Sequence, residues 1–215
     1  MRHFTASFLY VVGVIVLTGC AGKGETIPLE FKAIPSARSL VTQPADRLKV
    51  VVETFQDVRP DVEHVGVRTH LWGGVTYFRA GNATIADAFT RLMAEYVKQR
   101  GWEVKVRQER GSVAAKEADI TISGDIRELW VRAKSRFGST VLSFKANAVV
   151  RVANASDGSK VTLGLDGVRN GTVMRFDQDD VQEILNLGIR DSLQRMTADI
   201  MVVDKAVRLQ NSGQR

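Results

Sequence analysis

The feature that most limits what this chain can fold into is the strict alternation from Val141 to Val152. Leu142, Phe144, Ala146, Ala148, Val150 and Val152 fall on one side of an extended strand; Val141, Ser143, Lys145, Asn147, Val149 and Arg151 fall on the other. Strand side chains alternate with period two, so this run builds one buried and one open sheet face. Residues 119–136 supply its partner. Ile120, Ile122 and Ile126 share one parity, and Leu129, Val131 and Ala133 share the other. A change of parity within one strand requires a bulge or bend, here near Arg127 and Glu128. A turn at 137–140 sets Arg136 beside Val141. That places Ala133 against Phe144, Val131 against Ala146, Leu129 against Ala148, and Arg132 directly across from Lys145. In this register both strands offer apolar residues to the same face. Asp157-Gly158 closes a second hairpin, with Val152 near Val161 and Val150 near Leu163. Asn170-Gly171 reads as one more turn, leading to a short strand at 172–176.

Before this meander, Leu48 to Gln56 reads as a strand apolar on both faces, hence central. A loop follows from Asp57 to Gly66, then a short strand within 67–78 interrupted by Gly73-Gly74. Ile85, Ala88, Phe89, Leu92, Met93, Tyr96 and Val97 repeat at three and four and give one helical face, with Asn82 or Thr84 as cap and Gly101 as stop. Trp102, Val104 and Val106 alternate as a half-buried strand, and 108–118 reads as a polar loop. A second helix starts among Asp177, Asp179 and Asp180, where the helix dipole favours carboxylates. Its stripe runs Val181, Ile184, Leu185, Gly188, Ile189, Leu193, Met196 and Ile200. The order predicts an α+β two-layer sandwich: a mainly antiparallel, mixed sheet with two helices packed on one face.

The N-terminus carries a different signal. Arg2 and His3 precede ten mostly apolar residues, Phe8 to Leu17, which end in Leu17-Thr18-Gly19-Cys20. That is the layout of a secretory signal. The run is too short to span a bilayer, which needs about 20 apolar residues. The Leu-x-Gly-Cys ending resembles the lipobox of bacterial lipoproteins. The resemblance implies cleavage before Cys20 and acylation of that cysteine, so the membrane becomes a partner through N-terminal acyl chains. Ala21 stands where an aspartate usually signals inner-membrane retention, which points to the outer membrane and its periplasmic side. Residues 21–45 hold Gly22, Gly24, Pro28, Pro35 and Pro44 without periodicity. The chain therefore divides into a signal peptide (1–19), a lipidated cysteine and tether (20–45), one α+β domain (46–208) and a polar tail (209–215).

Charge and composition bound the chemistry. The net charge is +6, and +5 once Arg2 leaves with the signal. A mildly basic envelope protein can favour anionic lipid or glycan, and nucleic acid is excluded as a partner by the compartment. Cys20 is the one cysteine, so the domain has neither disulfides nor cysteine metal ligands. Asn-x-Ser/Thr matches at Asn82, Asn154 and Asn170 read as coincidence in a bacterial protein. No nucleophile elbow, phosphate-binding glycine loop or His-Glu-x-x-His is present, which predicts a protein that is not an enzyme and takes no cofactor. His64 and His70 lie near Asp61 and Glu63, but their spacing is too loose for three or four converging ligands, so no metal is expected.

The candidate binding residues fall in three groups. Asp57 and Arg59, after the first strand, either fold the loop or hold a ligand. Trp72, with Tyr77 and Phe78 beside Gly73-Gly74, is either a partner-binding loop or core at a strand edge. Arg132, Lys134 and Arg136 share one parity and join Lys145 on a basic outer face. Like charges directly opposite are mildly destabilising, a cost an anionic partner would offset; charges there also discourage edge pairing.

The run VVVETFQDVRP, a glycine-containing loop and ATIADAFTRLMAEYVKQRGWEV together resemble the YajG-like bacterial lipoproteins over about residues 48–106. More loosely, the chain resembles auxiliary lipoproteins of ABC-type lipid transport systems. Neither resemblance brings catalytic residues. The YajG-like resemblance implies an envelope lipoprotein without established enzymatic chemistry, and the first reading is a non-enzymatic envelope lipoprotein that binds a protein partner or assists an envelope assembly or transport system. The alternative is a module binding anionic lipid or glycan through the basic hairpin face.

Overall fold

A computed structural model describes residues 24–35, 47–107, 118–198 and 200–210. In chain order the elements are β1 Glu25–Pro28, β2 Lys49–Glu53, β3 Gln56–Asp57, β4 Gly66–Thr69, β5 Val75–Arg79, α1 Ile85–Lys98 and β6 Glu103–Arg107. They continue with β7 Ile120–Arg136, β8 Ser139–Asn154, β9 Lys160–Val173, α2 Gln178–Met196, β10 Ile200–Val203 and β11 Ala206–Leu209. Cys20, the signal peptide and most of the expected tether lie outside the described residues.

β7 is the spine. One side of it pairs antiparallel with β8 along nearly its whole length, and β8 pairs antiparallel with β9. The other side takes three parallel partners in succession: β2 near Ile120, β3 near Ile126 and β4 near Val131. β2 sits between β7 and β6, as its doubly buried valines require. β5 returns antiparallel to β4, and β1 adds in parallel at the edge. The result is a mixed sheet whose two longest ladders are antiparallel.

Several expected details are corrected. The β7–β8 turn holds two residues, Phe137-Gly138, with Gly138 at φ +73°. Ala133 therefore faces Leu142, Val131 faces Phe144 and Leu129 faces Ala146. The slip of two residues keeps every side chain on its face, so alternation alone cannot detect it; the tight turn decides. The bulge falls between Ile126 and Glu128 as the parity change requires. Asn170-Gly171 is no turn, because β9 runs through to Val173 against β8. The primed turns that favour two-residue hairpins need positive φ at the first residue or at both, and neither Asn170 nor Gly171 has it.

The expected tether contributes to the domain. Glu25–Pro28 pair with β5, and Leu29 is buried in the core. Gln182 and Asn186 of α2 accept from the backbone N–H groups of Glu30 and Lys32 at 2.8 and 3.1 Å. Four strand residues carry too little pattern to be read without the edge they join. Ile200 likewise leaves the helical stripe. α2 stops at Met196, and β10 and β11 form a hairpin turned by Asp204 and Lys205, both at positive φ. Such a turn has no glycine to announce it.

Both helices cover one face of the sheet. Thr84 caps α1, its side chain accepting from Asp87 N–H, and Asp177 and Asp180 form a capping box on α2. Phe55 and Phe89 meet edge to face with centroids 5.1 Å apart, joining α1 to the end of β2. α2 lies over β8 and β9, close enough that Gly188 rests on the Phe144 ring. Tyr96 of α1 ties the helices together, its hydroxyl 2.8 Å from Thr197 Oγ1. The inward residues of β8, from Leu142 to Val152, all enter one core.

Candidate functional site

Asp57 ends β3, and Arg59 turns back onto it. Arg59 Nε and Nη2 donate to the two carboxylate oxygens at 2.8 Å each, a fork-to-fork pair. Nη1 donates to the carbonyls of His64 and Leu129, each at 2.9 Å. Arg59 is buried, and its Nε, Nη1 and Nη2 all bond within the protein. The pair braces loop 58–65 against β7 where β7 is bulged.

The aromatic group after the loop divides. Phe78 is core, and Tyr77 stands on the open sheet face, its ring 4.4 Å from that of His64. Trp72 lies in the β4–β5 turn beside Gly73, which has φ +90°, and is 93% exposed. His64 faces Asp61, with Nδ1 3.0 Å from Oδ2. Burial pushes the Asp61 carboxyl up, but the His64 backbone and ring and the Glu63 N–H outweigh it and hold the group below its ordinary value. His70 Nε2 lies 2.8 Å from Thr76 Oγ1. Burial, aided by the Arg68 charge, lowers its pKa. Among the described residues no group of three or more His, Asp or Glu side chains is placed to hold a metal ion.

The open face of the sheet carries the basic residues. Arg132, Lys134, Arg136 and Lys145 are all exposed on it. In the corrected register Lys145 faces Trp130 and Val168, while Arg132 faces Ser143 and Val67. Arg132 and Lys145 are thus diagonal neighbours on one face, farther apart than the expected direct pair, so their repulsion is weaker. Among the described residues the ion pairs on this face are those of Arg151 with Asp125, and none involves the four cations. Trp130, Val141, Val149 and Val168 intersperse the charges. Such a mixture of aromatic, aliphatic and cationic groups suits a protein interface.

Two features escaped the sequence reading. Phe137 is 95% exposed in the β7–β8 turn, and Met174 is 89% exposed just past β9. Phe137 preceding Gly138 could have been read as a turn tip had the two-residue turn been chosen. At the other end, α1, α2 and β11 leave a small apolar hollow of about 30 Å³, lined by Tyr96, Ile122, Val152, Ile200 and Val207. Trp102 Nε1 is buried against it without an acceptor among the described residues. None of the described helices is long and apolar enough to cross a membrane.

No protein-family model and no curated protein sequence matches the chain. Solved structures of similar course do exist. Protein XCC0632 from Xanthomonas campestris is 8% identical with a TM-score of 0.49, over 80% of this chain and 91% of that one. Lipoprotein GNA1162 from Neisseria meningitidis is 8% identical with a TM-score of 0.36, over 68% and 98%. The PelC dodecamer from Paraburkholderia phytofirmans is 14% identical with a TM-score of 0.38, over 78% and 92%. At these values no role passes from those proteins to this one.

Proposed function

We propose that this chain is a lipid-anchored lipoprotein of the bacterial envelope that acts by binding another envelope protein and not by catalysis. The observation that carries the reading is Leu17-Thr18-Gly19-Cys20 at the end of a ten-residue apolar run. The resemblance to YajG-like lipoproteins over residues 48–106 supports it. Ala21 favours the outer membrane, with the domain on the periplasmic side. The binding surface is the uncovered face of β7, β8 and β9, where Trp130, Val168, Arg132 and Lys145 stand together.

Two measurements test this. Intact mass of the mature protein should give acylated Cys20, and Cys20→Ser should leave an uncut precursor or an unanchored product. A photo-crosslinking residue at Ser143, on the open face between Arg132 and Asn170, should trap one protein partner in cells. The same residue at Arg91, on the exposed side of α1, should not. Equal yields from the two positions would refute the assignment of the face.

A second reading has its own support, since the four cations meet no carboxylate among the described residues: the face binds anionic lipid or glycan. Salt separates the two, because exposed charges are screened beyond about 10 Å at 0.1 M ionic strength. Binding to lipopolysaccharide that disappears in salt, and in the triple reversal of Arg132, Lys134 and Lys145 to Glu, would favour this second reading. A salt-insensitive protein complex favours the first.

A further inference from the structure

We propose that one end of the sheet is a membrane-docking edge, where Trp72, Phe137 and Met174 seat in the interfacial layer of the bilayer that holds Cys20. This rests on the reading of Cys20 as the acylated N-terminus. The strand register establishes which segments share that end. A single row of Cα partners crosses the sheet through Glu25, Thr76, Arg68, Ala133, Leu142 and Gly171. Beyond that row, on one side, lie Gly24, the β4–β5 turn, the β7–β8 turn and the residues that follow β9. Arg68 lies over the Phe176 ring, 3.6 Å from its centroid, and closes the core just beneath them.

Phe137, Trp72 and Met174 are the three most exposed large apolar side chains among the described residues, at 95, 93 and 89%. The next, Val168, is 66% exposed. The three come from three separate segments, yet all project from this end. None of the described residues covers them. Clustered exposed apolar groups mark interaction surfaces, and aromatic rings favour the membrane interface, where an apolar body meets a wet boundary.

The anchor leaves from the same end. Cys20 precedes Gly24 by four residues, and an extended chain spans at most about 3.6 Å per residue, so Cys20 lies within about 14 Å of Gly24. The opposite end of the sheet is the 16 residues of β8 away, which at about 3.3 Å per residue is roughly 50 Å. A gap of about 14 Å also excludes a folded partner between this end and the bilayer, because even a 100-residue domain has a radius of gyration of about 13 Å. The occupant is therefore the bilayer surface.

Charges at this end are of both signs. Lys134, Arg136 and Arg175 are exposed there, as are Glu25, Asp177 and Asp179. Asp177 and Asp180 are engaged in the capping box of α2. Docking is thus driven by apolar insertion and needs no anionic lipid.

The test uses the full mature chain with its acyl chains, its mass verified at Cys20. The protein is reconstituted into phosphatidylcholine vesicles with and without bromine on the lipid acyl chains. Brominated lipid should quench the wild-type tryptophan emission, and Trp72→Phe should lose that quenching while Trp102 and Trp130 stay. In the Trp72→Phe background, Phe137→Trp should restore it. Val203→Trp should not, because it ends β10 beside the Asp204-Lys205 turn, on the hairpin that Asn154 and Asp157 hold to the far end. Acylated protein in which positions 137 and 203 are quenched alike, or neither is quenched, overturns the docking edge and leaves the lipoprotein reading standing. Unmodified Cys20 overturns that reading, and the docking edge falls with it.

Discussion

The side-chain amide of Asn154 holds Val207 by both its backbone groups. Oδ1 accepts from the Val207 N–H at 2.8 Å, and Nδ2 donates to the Val207 carbonyl at 3.1 Å. Nδ2 also donates to Ser159 Oγ at 2.9 Å, so one buried amide fastens the terminal hairpin to the β8–β9 turn. Asn154→Ala leaves the Val207 groups without these partners in a buried place. The expected loss is about 1–3 kcal/mol, read as a lower denaturant midpoint. Asn154→Asp should cost more at neutral pH, since it turns a carboxylate toward the Val207 carbonyl. Faster hydrogen exchange at Val207 in both variants would place the damage in the hairpin; unchanged exchange would contradict this account.

Arg59 should behave as a structural brace. Its removal strands Asp57 and frees the carbonyls of His64 and Leu129 together. Breaking a buried charge pair from one side typically costs about 3–5 kcal/mol. Arg59→Lys should recover only part of that, because one ammonium cannot reproduce a fork and two further donors. Thermal unfolding of Arg59→Ala, Arg59→Lys and the double Asp57→Asn, Arg59→Met variant checks this. The double variant should be more stable than Arg59→Ala alone. If Arg59→Ala unfolds with the wild type, the pair is not a brace.

These two sites show where the sequence could and could not be read. The faces of β7 and β8, the bulge at Ile126–Glu128 and both helices follow from period and capping residues, which are local. The exact β7–β8 register does not, because a shift of two residues preserves the pattern and only the turn chooses. β1 and the Asn154–Val207 fastening depend on partners far along the chain, with separations of about fifty residues in each case. The docking edge was half legible. Trp72 stood out by its neighbours, but Phe137 and Met174 gained meaning only when five parallel or antiparallel ladders set them at one end with Gly24.

Gly188 should resist substitution despite its place inside a helix. Alanine there would gain up to about 1 kcal/mol of helix propensity. Its Cβ, however, would overlap Cδ1 and Cε1 of Phe144. Phe144 is fully buried, so its ring has little room to withdraw. Overpacking of this kind costs about 1–3 kcal/mol, which outweighs the propensity gain, and Gly188→Ala should therefore be net destabilising. The penalty should shrink when Phe144→Leu is combined with it. A double-mutant cycle by chemical denaturation measures that coupling; additive effects would mean that α2 shifts instead.

His70 should make stability depend on pH near neutrality. Burial and then the Arg68 charge lower its folded pKa below 6.5, with Glu25 opposing. The neutral ring is the form that fits, with Nε2 beside Thr76 Oγ1. Between the lowered folded value and the unfolded value the unfolded chain binds more protons, so stability rises with pH across that window. The contribution is fully present above the unfolded pKa and is lost as pH falls through the folded one. The denaturant midpoint should therefore drop as pH falls through and below the unfolded value of about 6.5, and His70→Gln should flatten part of that drop. Other groups titrate too, so the decisive quantity is the difference between wild type and variant. A ring titration followed by NMR gives the folded pKa directly. A His70 that titrates at or above its ordinary value, or a variant with the wild-type pH profile, would show that the β4–β5 turn does not sense protons through this residue.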